Sequence, residues 1–279
     1  MKLSIVGRTP WSAPDALVRL PVLCTKRRAR PPHIVAALFF SLALPACAQQ
    51  GLTAPTAGFI VDHSGALRTV TGITQSFLVG DALRTGVLSA ACTRSWCLAK
   101  TATSLFATQN PDDVGTSAPA GPALFSLHNQ SALIYLPAVH QFAHFEDSQL
   151  QLLDWSVEGE VLALRSTREG PQFAVRRADG VWIVALDGSI ETSLPTGTTT
   201  VLLMEGMTLY SLPNSVVLRR ADGSEVSFDL TGTISLSQIG ENYIQVSTPG
   251  ATYALRTDLG REQLSLLPEL AGAAQGVSQ

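Results

Sequence analysis

Cys92 and Cys97 bracket Thr93-Arg-Ser-Trp96 between two apolar runs. In a hairpin that sets them opposite each other, their Cα atoms would stand about 4.5 to 5.5 Å apart, within disulfide reach. Closing so short a loop stabilises by roughly 2 kcal/mol through the entropy it removes from the unfolded chain. A structural disulfide is expected, with free thiols as the other reading. Zinc would need further Cys or His beside the pair, and none is adjacent. His140-Gln-Phe-Ala-His144 has metal-pair spacing only on a helix. On a strand the two residues stand about 13 Å apart and cannot share an ion, so they read as hairpin histidines. His63 and His128 fall at turns with no visible partner. Asp112 and Asp113, next to Asn110, lack the alternating spacing of a calcium loop and read as solvated acids. No Ser lies in Gly-x-Ser-x-Gly, and no Gly-rich phosphate loop is present. The sequence therefore nominates no catalytic residue, no cofactor-binding residue and no metal ligand, and no cofactor is expected.

The elements around these residues repeat. Phe173-Ala-Val-Arg-Arg-Ala-Asp-Gly180, Val216-Val-Leu-Arg-Arg-Ala-Asp-Gly223 and Tyr253-Ala-Leu-Arg-Thr-Asp-Leu-Gly260 each join an apolar run, an Arg and an Asp/Gly turn before a second apolar run. That is the text of a β-hairpin. Hairpins aligned on it are Phe59 to Gly72, Phe142 to Leu153, Phe173 to Leu186, Val216 to Leu230 and Tyr253 to Leu267, with another near Leu105. Between them lie Val87–Ala91 with Trp96–Lys100, Ala123–Leu127 with Ala132–Leu136, and Gln151–Trp155 with Val161–Arg165. Thr200–Met204 with Met207–Leu212 and Ile234–Gln238 with Tyr243–Ser247 complete this second set. Trp155 and Trp182 fall in these strands, while Gly188, Gly232 and Gly240 read as turn glycines.

Four strands per unit make a propeller blade, and the period near 40 residues agrees. The expectation is an all-β propeller of five or six four-stranded blades over residues 59–269, six favoured, with the N-terminal hairpin closing the ring. Sealing a blade with strands from both chain ends would remove the free edge. A β-sandwich is the alternative. The recurring Arg176-Arg177 and Arg219-Arg220 pairs then sit at one place in the blade, capping strand ends or pairing with acids. An anion-binding ring would need them on the channel side. Gln109 to Gly121 reads as a loop of about a dozen residues.

The N-terminal segment has a different composition. Lys26-Arg-Arg-Ala-Arg30 precedes the apolar run Ile34–Leu44 and then Pro45-Ala-Cys-Ala-Gln49, the layout of a secretory signal peptide with an extended basic region over 1–48. The run is too short to span a bilayer, which takes about 20 residues. Two cleavages remain open. Ala46-Cys-Ala48 suits ordinary signal peptidase, leaving Gln49 first, whereas Leu44-Pro-Ala-Cys47 resembles a lipobox that would lipidate Cys47. Residues 49–58 read as a spacer and 270–279 as a flexible tail. Residues 1–48 hold 7 of the 19 Lys and Arg and 1 of the 22 Asp and Glu, so the rest carries a net charge of about −9. That sign excludes a nucleic-acid partner, which calls for a basic footprint.

The apolar-Arg-x-x-Asp-Gly turns, Ser64-Gly-Ala-Leu-Arg68, Val70-Thr-Gly72 and Gln263-Leu-Ser-Leu-Leu-Pro-Glu269 resemble bacterial exported β-propellers of the WD40, TolB or quinoprotein-repeat kind. In particular the chain looks like secreted propellers of acidobacterial type. The Trp-Asp dipeptide of WD40 repeats and the Trp-ended quinoprotein signature are absent, so no functional residue carries over. The resemblance implies a non-catalytic binding or scaffold module for a protein or glycan of the cell envelope, touching membrane only through a lipid on Cys47. The alternatives are an exported hydrolase or lactonase with a channel metal, and a lipoprotein aiding outer-membrane assembly.

Overall fold

The computed structural model describes residues 54–93, 96–108, 115–233, 235–258 and 260–268. The expected signal segment over 1–48, which includes Cys24 and Cys47, the acids Asp112 and Asp113 with Asn110, and the expected C-terminal tail lie outside the described residues.

Six antiparallel sheets follow one another along the chain. Blade 1 has three strands, β1 (Thr56–Val61), β2 (Leu67–Ile73) and β3 (Ser76–Arg84). Blade 2 is β4 (Ser89–Cys92), β5 (Cys97–Lys100), β6 (Ser104–Ala107) and β7 (Thr116–Ser117). Blade 3 is β8 (Leu124–His128), β9 (Ser131–Leu136), β10 (Gln141–Glu146) and β11 (Gln149–Leu153). Blade 4 is β12 (Glu160–Thr167), β13 (Gly170–Arg177), β14 (Gly180–Ala185) and β15 (Ile190–Leu194). Blade 5 is β16 (Val201–Met204), β17 (Met207–Leu212), β18 (Ser215–Arg220) and β19 (Glu225–Asp229). Blade 6 is β20 (Ser235–Gln238), β21 (Tyr243–Ser247), β22 (Thr252–Arg256) and β23 (Gln263–Leu266). The described helical structure is one 3₁₀ turn at Pro137–Val139, and no described helix is long and apolar enough to cross a membrane.

The apolar residues divide into six cores, one per junction between neighbouring blades. Leu67, Val87 and Ala99 join blades 1 and 2, and Leu98, Ile134 and Phe145 join blades 2 and 3. Phe142 and Phe173 join blades 3 and 4, Ile183 and Tyr210 blades 4 and 5, and Leu218 and Ile244 blades 5 and 6. Ile60, Val70, Ile239 and Leu267 close the circle between blades 6 and 1. A middle strand therefore buries both faces. On β13, Phe173 and Val175 pack toward blade 3 while Ala174 packs toward blade 5. This explains why such strands read as unbroken apolar runs rather than clean alternation. The fold is a six-bladed β-propeller, with five four-stranded blades and one of three strands among the described residues.

Several strand assignments differ from the sequence reading. The Phe173 hairpin is β13 and β14, the second and third strands of its blade, whereas the Val216 and Tyr253 hairpins are third and fourth strands. Both kinds end in solvent-exposed turns, so their texts look alike. Gln151–Trp155 does not pair with Val161–Arg165: β11 ends blade 3 at the rim, β12 opens blade 4 at the centre, and Trp155 lies in the link between them. The rim strands β3 and β15 escaped sequence notice because most of their residues face water, which blurs the alternation. The expected loop at 109–121 is interrupted by β7, which pairs with Ser104 and Leu105. Blade 1 closes the ring by docking against blade 6, without sharing a sheet with it among the described residues.

Candidate functional site

Each full blade meanders from centre to rim and returns the chain to the face where it began. The inner strands β4, β8, β12, β16 and β20 therefore run the same way around the axis. Together they enclose a cavity of about 720 Å³. Their C-terminal ends bring His128, Arg165, Glu205 and Glu241 to one mouth, while the turn after β1 brings Asp62 and His63 to the other. The wall between carries hydroxyls such as Ser89, Ser126 and Thr200 beside apolar Leu124, Leu162 and Leu202.

Two of these hydroxyls also tie blades together. Ser89 Oγ accepts the Ala123 N–H at 2.9 Å, and Ser126 Oγ accepts the Ser166 N–H at 2.8 Å. Arg165 is the one cationic side chain among the described arginines and lysine that borders the cavity. Its Nε donates to Gln172 Oε1 and its Nη1 to the Met204 carbonyl at 2.6 Å, the latter crossing to blade 5. Gln172 Nε2 donates in turn to both carboxylate oxygens of Glu191, at 2.6 and 2.5 Å. A polar relay thus spans blade 4 from channel to rim and fixes the guanidinium fork. Burial pulls the Arg165 pKa below its ordinary value, against the opposing pull of Glu191 and Glu205.

At the opposite mouth, Asp62 organises the β1–β2 turn. Its Oδ1 accepts from Ser64 N, Ser64 Oγ and Ala66 N at 2.8, 2.6 and 2.9 Å, and Oδ2 accepts from Arg68 Nε at 2.6 Å. Burial opposes ionisation of Asp62, but these donors outweigh it and hold the carboxyl below the usual carboxylate range. Asp187-Gly-Ser189 and Asp222-Gly-Ser224 repeat the Asp-to-Ser bonds at rim turns. The sequence motif included Asp222-Gly223, and Gly188 read as a turn glycine; the Ser two residues after each Asp, which completes an Asx turn, carried no separate signal.

Cys92 and Cys97 face each other across β4 and β5 and are joined by a disulfide, as the spacing implied. Trp96 beside them donates from Nε1 to the Asn129 carbonyl of blade 3 at 2.6 Å. His140 lies just before β10 with φ of 52°, and its Nδ1 is 3.2 Å from Tyr135 Oη, while His144 lies within β10. His63 Nε2 is 3.3 Å from Thr252 Oγ1.

The arginine pairs do not occupy one place in the blade. Arg176-Arg177 ends a second strand and Arg219-Arg220 a third, so they lie at opposite faces of the ring. They do pair with acids: Arg176 with Glu160, Arg219 with Glu225 and Arg220 with Glu262. None of the four borders the central cavity. Among the described residues no three His, Cys, Asp or Glu side chains are grouped to hold a metal ion. Arg165, Gln172 and Gln245 were missed by the sequence reading; a lone Arg closing the apolar run Val161-Leu-Ala-Leu164 was the available signal for the first.

No protein-family model and no curated protein matches the chain. Solved structures do resemble it at low identity. A protein of unknown function from Bacteroides caccae is 13% identical over 77% of this chain and 100% of its own, with a TM-score of 0.48. PorZ, an essential surface component of the type-IX secretion system of Porphyromonas gingivalis, is 13% identical with a TM-score of 0.47. That match covers 76% of this chain and 31% of PorZ, so the chain spans about a third of that protein. Virginiamycin B lyase from Staphylococcus aureus is 10% identical over 78% of this chain and 85% of its own, with a TM-score of 0.44.

Proposed function

We propose that the protein is an exported, envelope-associated binding module that holds a protein or glycan partner at the central cavity without transforming it. The observation that carries this reading is the cavity wall. Strands from five blades converge on about 720 Å³ and offer hydroxyls and scattered charges amid apolar side chains. Few fixed polar groups within apolar surface are what orient and hold a ligand. Export is supported by the basic cluster and apolar run before residue 48, and by a disulfide suited to an oxidising compartment.

The reading is tested at the mouth, where His128 is exposed and borders the cavity. His128→Trp narrows the opening without removing a blade contact. Wild type and variant are titrated with solubilised peptidoglycan fragments in one arm and with peptides from envelope proteins in the other. Binding in one arm that weakens about tenfold or more in the variant, at unchanged thermal midpoint, supports the module and names its ligand class (tenfold corresponds to about 1.4 kcal/mol). Equal binding by both proteins moves the site off the cavity and overturns the reading. Turnover of ester or lactone probes by the wild type would instead favour the hydrolase alternative. For anchoring, radiolabelled palmitate carried by the wild type and lost in Cys47→Ala is the lipoprotein outcome; an unlabelled wild type with Gln49 first is the soluble one.

A further inference from the structure

Among the described residues blade 1 has no counterpart of the innermost strand that the other five blades possess, so the inner edge of β1 should expose unpaired backbone groups. Instead three of them, the Phe59 and Val61 N–H groups and the Val61 carbonyl, find partners in blade 6. Phe59 N–H donates to the Ile239 carbonyl at 3.0 Å. Val61 N–H donates to Gln245 Oε1 at 3.2 Å, and Gln245 Nε2 donates back to the Val61 carbonyl at 2.7 Å. A primary amide can set one N–H and its C=O side by side in a plane, the same pair that a residue of a neighbouring strand presents, and keeps a second N–H for another acceptor. Gln245 is 4% exposed in the middle of β21, and its amide also donates to Ser247 Oγ at 3.0 Å, which fixes its orientation.

The surrounding backbone is shaped for this contact. A Cβ at Gly58, where φ is +147°, would collide with the Ile239 carbonyl, and one at Gly240 with the Ala57 carbonyl. Two glycines, one from each blade, let the main chains touch. Tyr243 adds a 3.1 Å hydrogen-bond contact to Thr74 and an edge-on contact to Phe77, ring centroids 5.5 Å apart. The other flank of blade 1 is thinner. Its buried core against blade 2 is Leu67, Val87 and Ala99, and on that flank Ile73 and Leu78 remain 63% and 65% exposed.

We propose that Gln245 is the latch of the ring: its amide serves β1 as an inner-strand partner would, and when it lets go, blade 1 leaves first, hinged on residues 85–88. Chain connectivity explains the asymmetry. Blades 1 and 2 are covalently joined and tolerate a thin core, whereas blades 6 and 1 have only non-covalent contacts to close the circle. Val61, Asp62 and His63 border the cavity, so release of blade 1 widens the mouth that they line, while β20 and β4 stay beside each other. The inference does not depend on what the cavity binds.

Hydrogen exchange read by mass spectrometry on the intact protein tests it. In the wild type, peptides within 56–84 exchange about tenfold or more faster than those within 160–185, as a separately opening unit should. Gln245→Leu speeds the first set about tenfold further and leaves the second unchanged, the effect of losing about one net hydrogen bond at the latch. Gln245→Glu keeps an acceptor for Val61 N–H but buries a carboxylate against the Val61 carbonyl, so it speeds the first set at least as much as Gln245→Leu. Segments 56–84 and 160–185 exchanging in step in the wild type would overturn the proposal without any variant. So would Gln245→Leu acting on all blades alike or leaving 56–84 unchanged.

Discussion

Lys100 is a fully buried ammonium that donates to two backbone carbonyls, Thr101 O at 2.7 Å and Ala102 O at 3.1 Å. It is also the sole lysine after residue 48. Burial lowers its pKa, because desolvation penalises the charged form. The sign of the linkage follows. Between the lowered folded pKa and the unfolded value near 10.4, the unfolded chain binds more protons, so stability rises with pH across that window. Denaturant midpoints measured from pH 7 to 10 should therefore rise more steeply for wild type than for Lys100→Met, which has no proton to lose. Lys100→Ala should cost about 2 to 4 kcal/mol at neutral pH, from the cavity and the two stranded carbonyls. Asp62 works in the opposite direction. Its carboxyl is held below the usual range, so its contribution is present above the unfolded pKa near 3.9 and is lost as pH falls through the folded one. Asp62→Asn should cost about 1 to 2 kcal/mol at pH 7 and flatten the acid limb of the stability profile, read by urea titration between pH 2 and 5.

Among the elements, the β4–β5 hairpin is the most legible and the Phe173 hairpin the least. Cys92 and Cys97 announced their pairing because a disulfide demands facing positions, a condition that spacing alone meets in a short hairpin. Nothing comparable distinguishes β13 from β18. Phe-Ala-Val-Arg-Arg and Val-Val-Leu-Arg-Arg bury the same pattern of side chains, yet one is second in its sheet and the other third. Position within a blade is decided by what covers each face, which is tertiary information. The central cavity was illegible for the same reason: Arg165, Glu205 and His128 are far apart in sequence and meet only because five inner strands converge. The hairpin itself can be tested. Replacing both cysteines with Ala, or reducing the wild type, should lower stability by about 2 kcal/mol in equilibrium denaturation. The loss should concentrate at the junction with blade 3, where Trp96 bonds the Asn129 carbonyl, and a Trp96 fluorescence change on reduction would register it.

At the scale of the ring, the question is whether six cores act as one. Each blade packs its core against its two neighbours, and β20 also approaches β4 past the short blade 1, so stability is close to a sum of blade terms and junction terms, and cooperativity depends on the weakest junction. Most junctions are substantial. Phe142 is buried between blades 3 and 4 with Tyr135, Phe173 and Trp155 at ring-centroid distances of 4.7, 5.0 and 6.1 Å. Its removal leaves a large void that strands locked in register cannot collapse around, so Phe142→Ala should cost about 3 to 5 kcal/mol. Because blades 2 to 6 are linked through cores of this kind, that loss should appear in blades remote from the lesion. Hydrogen exchange at 207–220 in blade 5 should accelerate together with that at 131–146. Leu67→Ala, in the small core between blades 1 and 2, removes an equally buried side chain and should speed exchange within 56–84 while sparing 207–220. A propeller whose cores were uniform would respond alike to both substitutions; here the chain has placed its thin junction beside the sheet that carries Asp62 and His63 at the cavity mouth. If Phe142→Ala proved as local as Leu67→Ala, the blades would be folding as separate units, and the ring would owe its integrity to the latch at Gln245 far less than to each sheet alone.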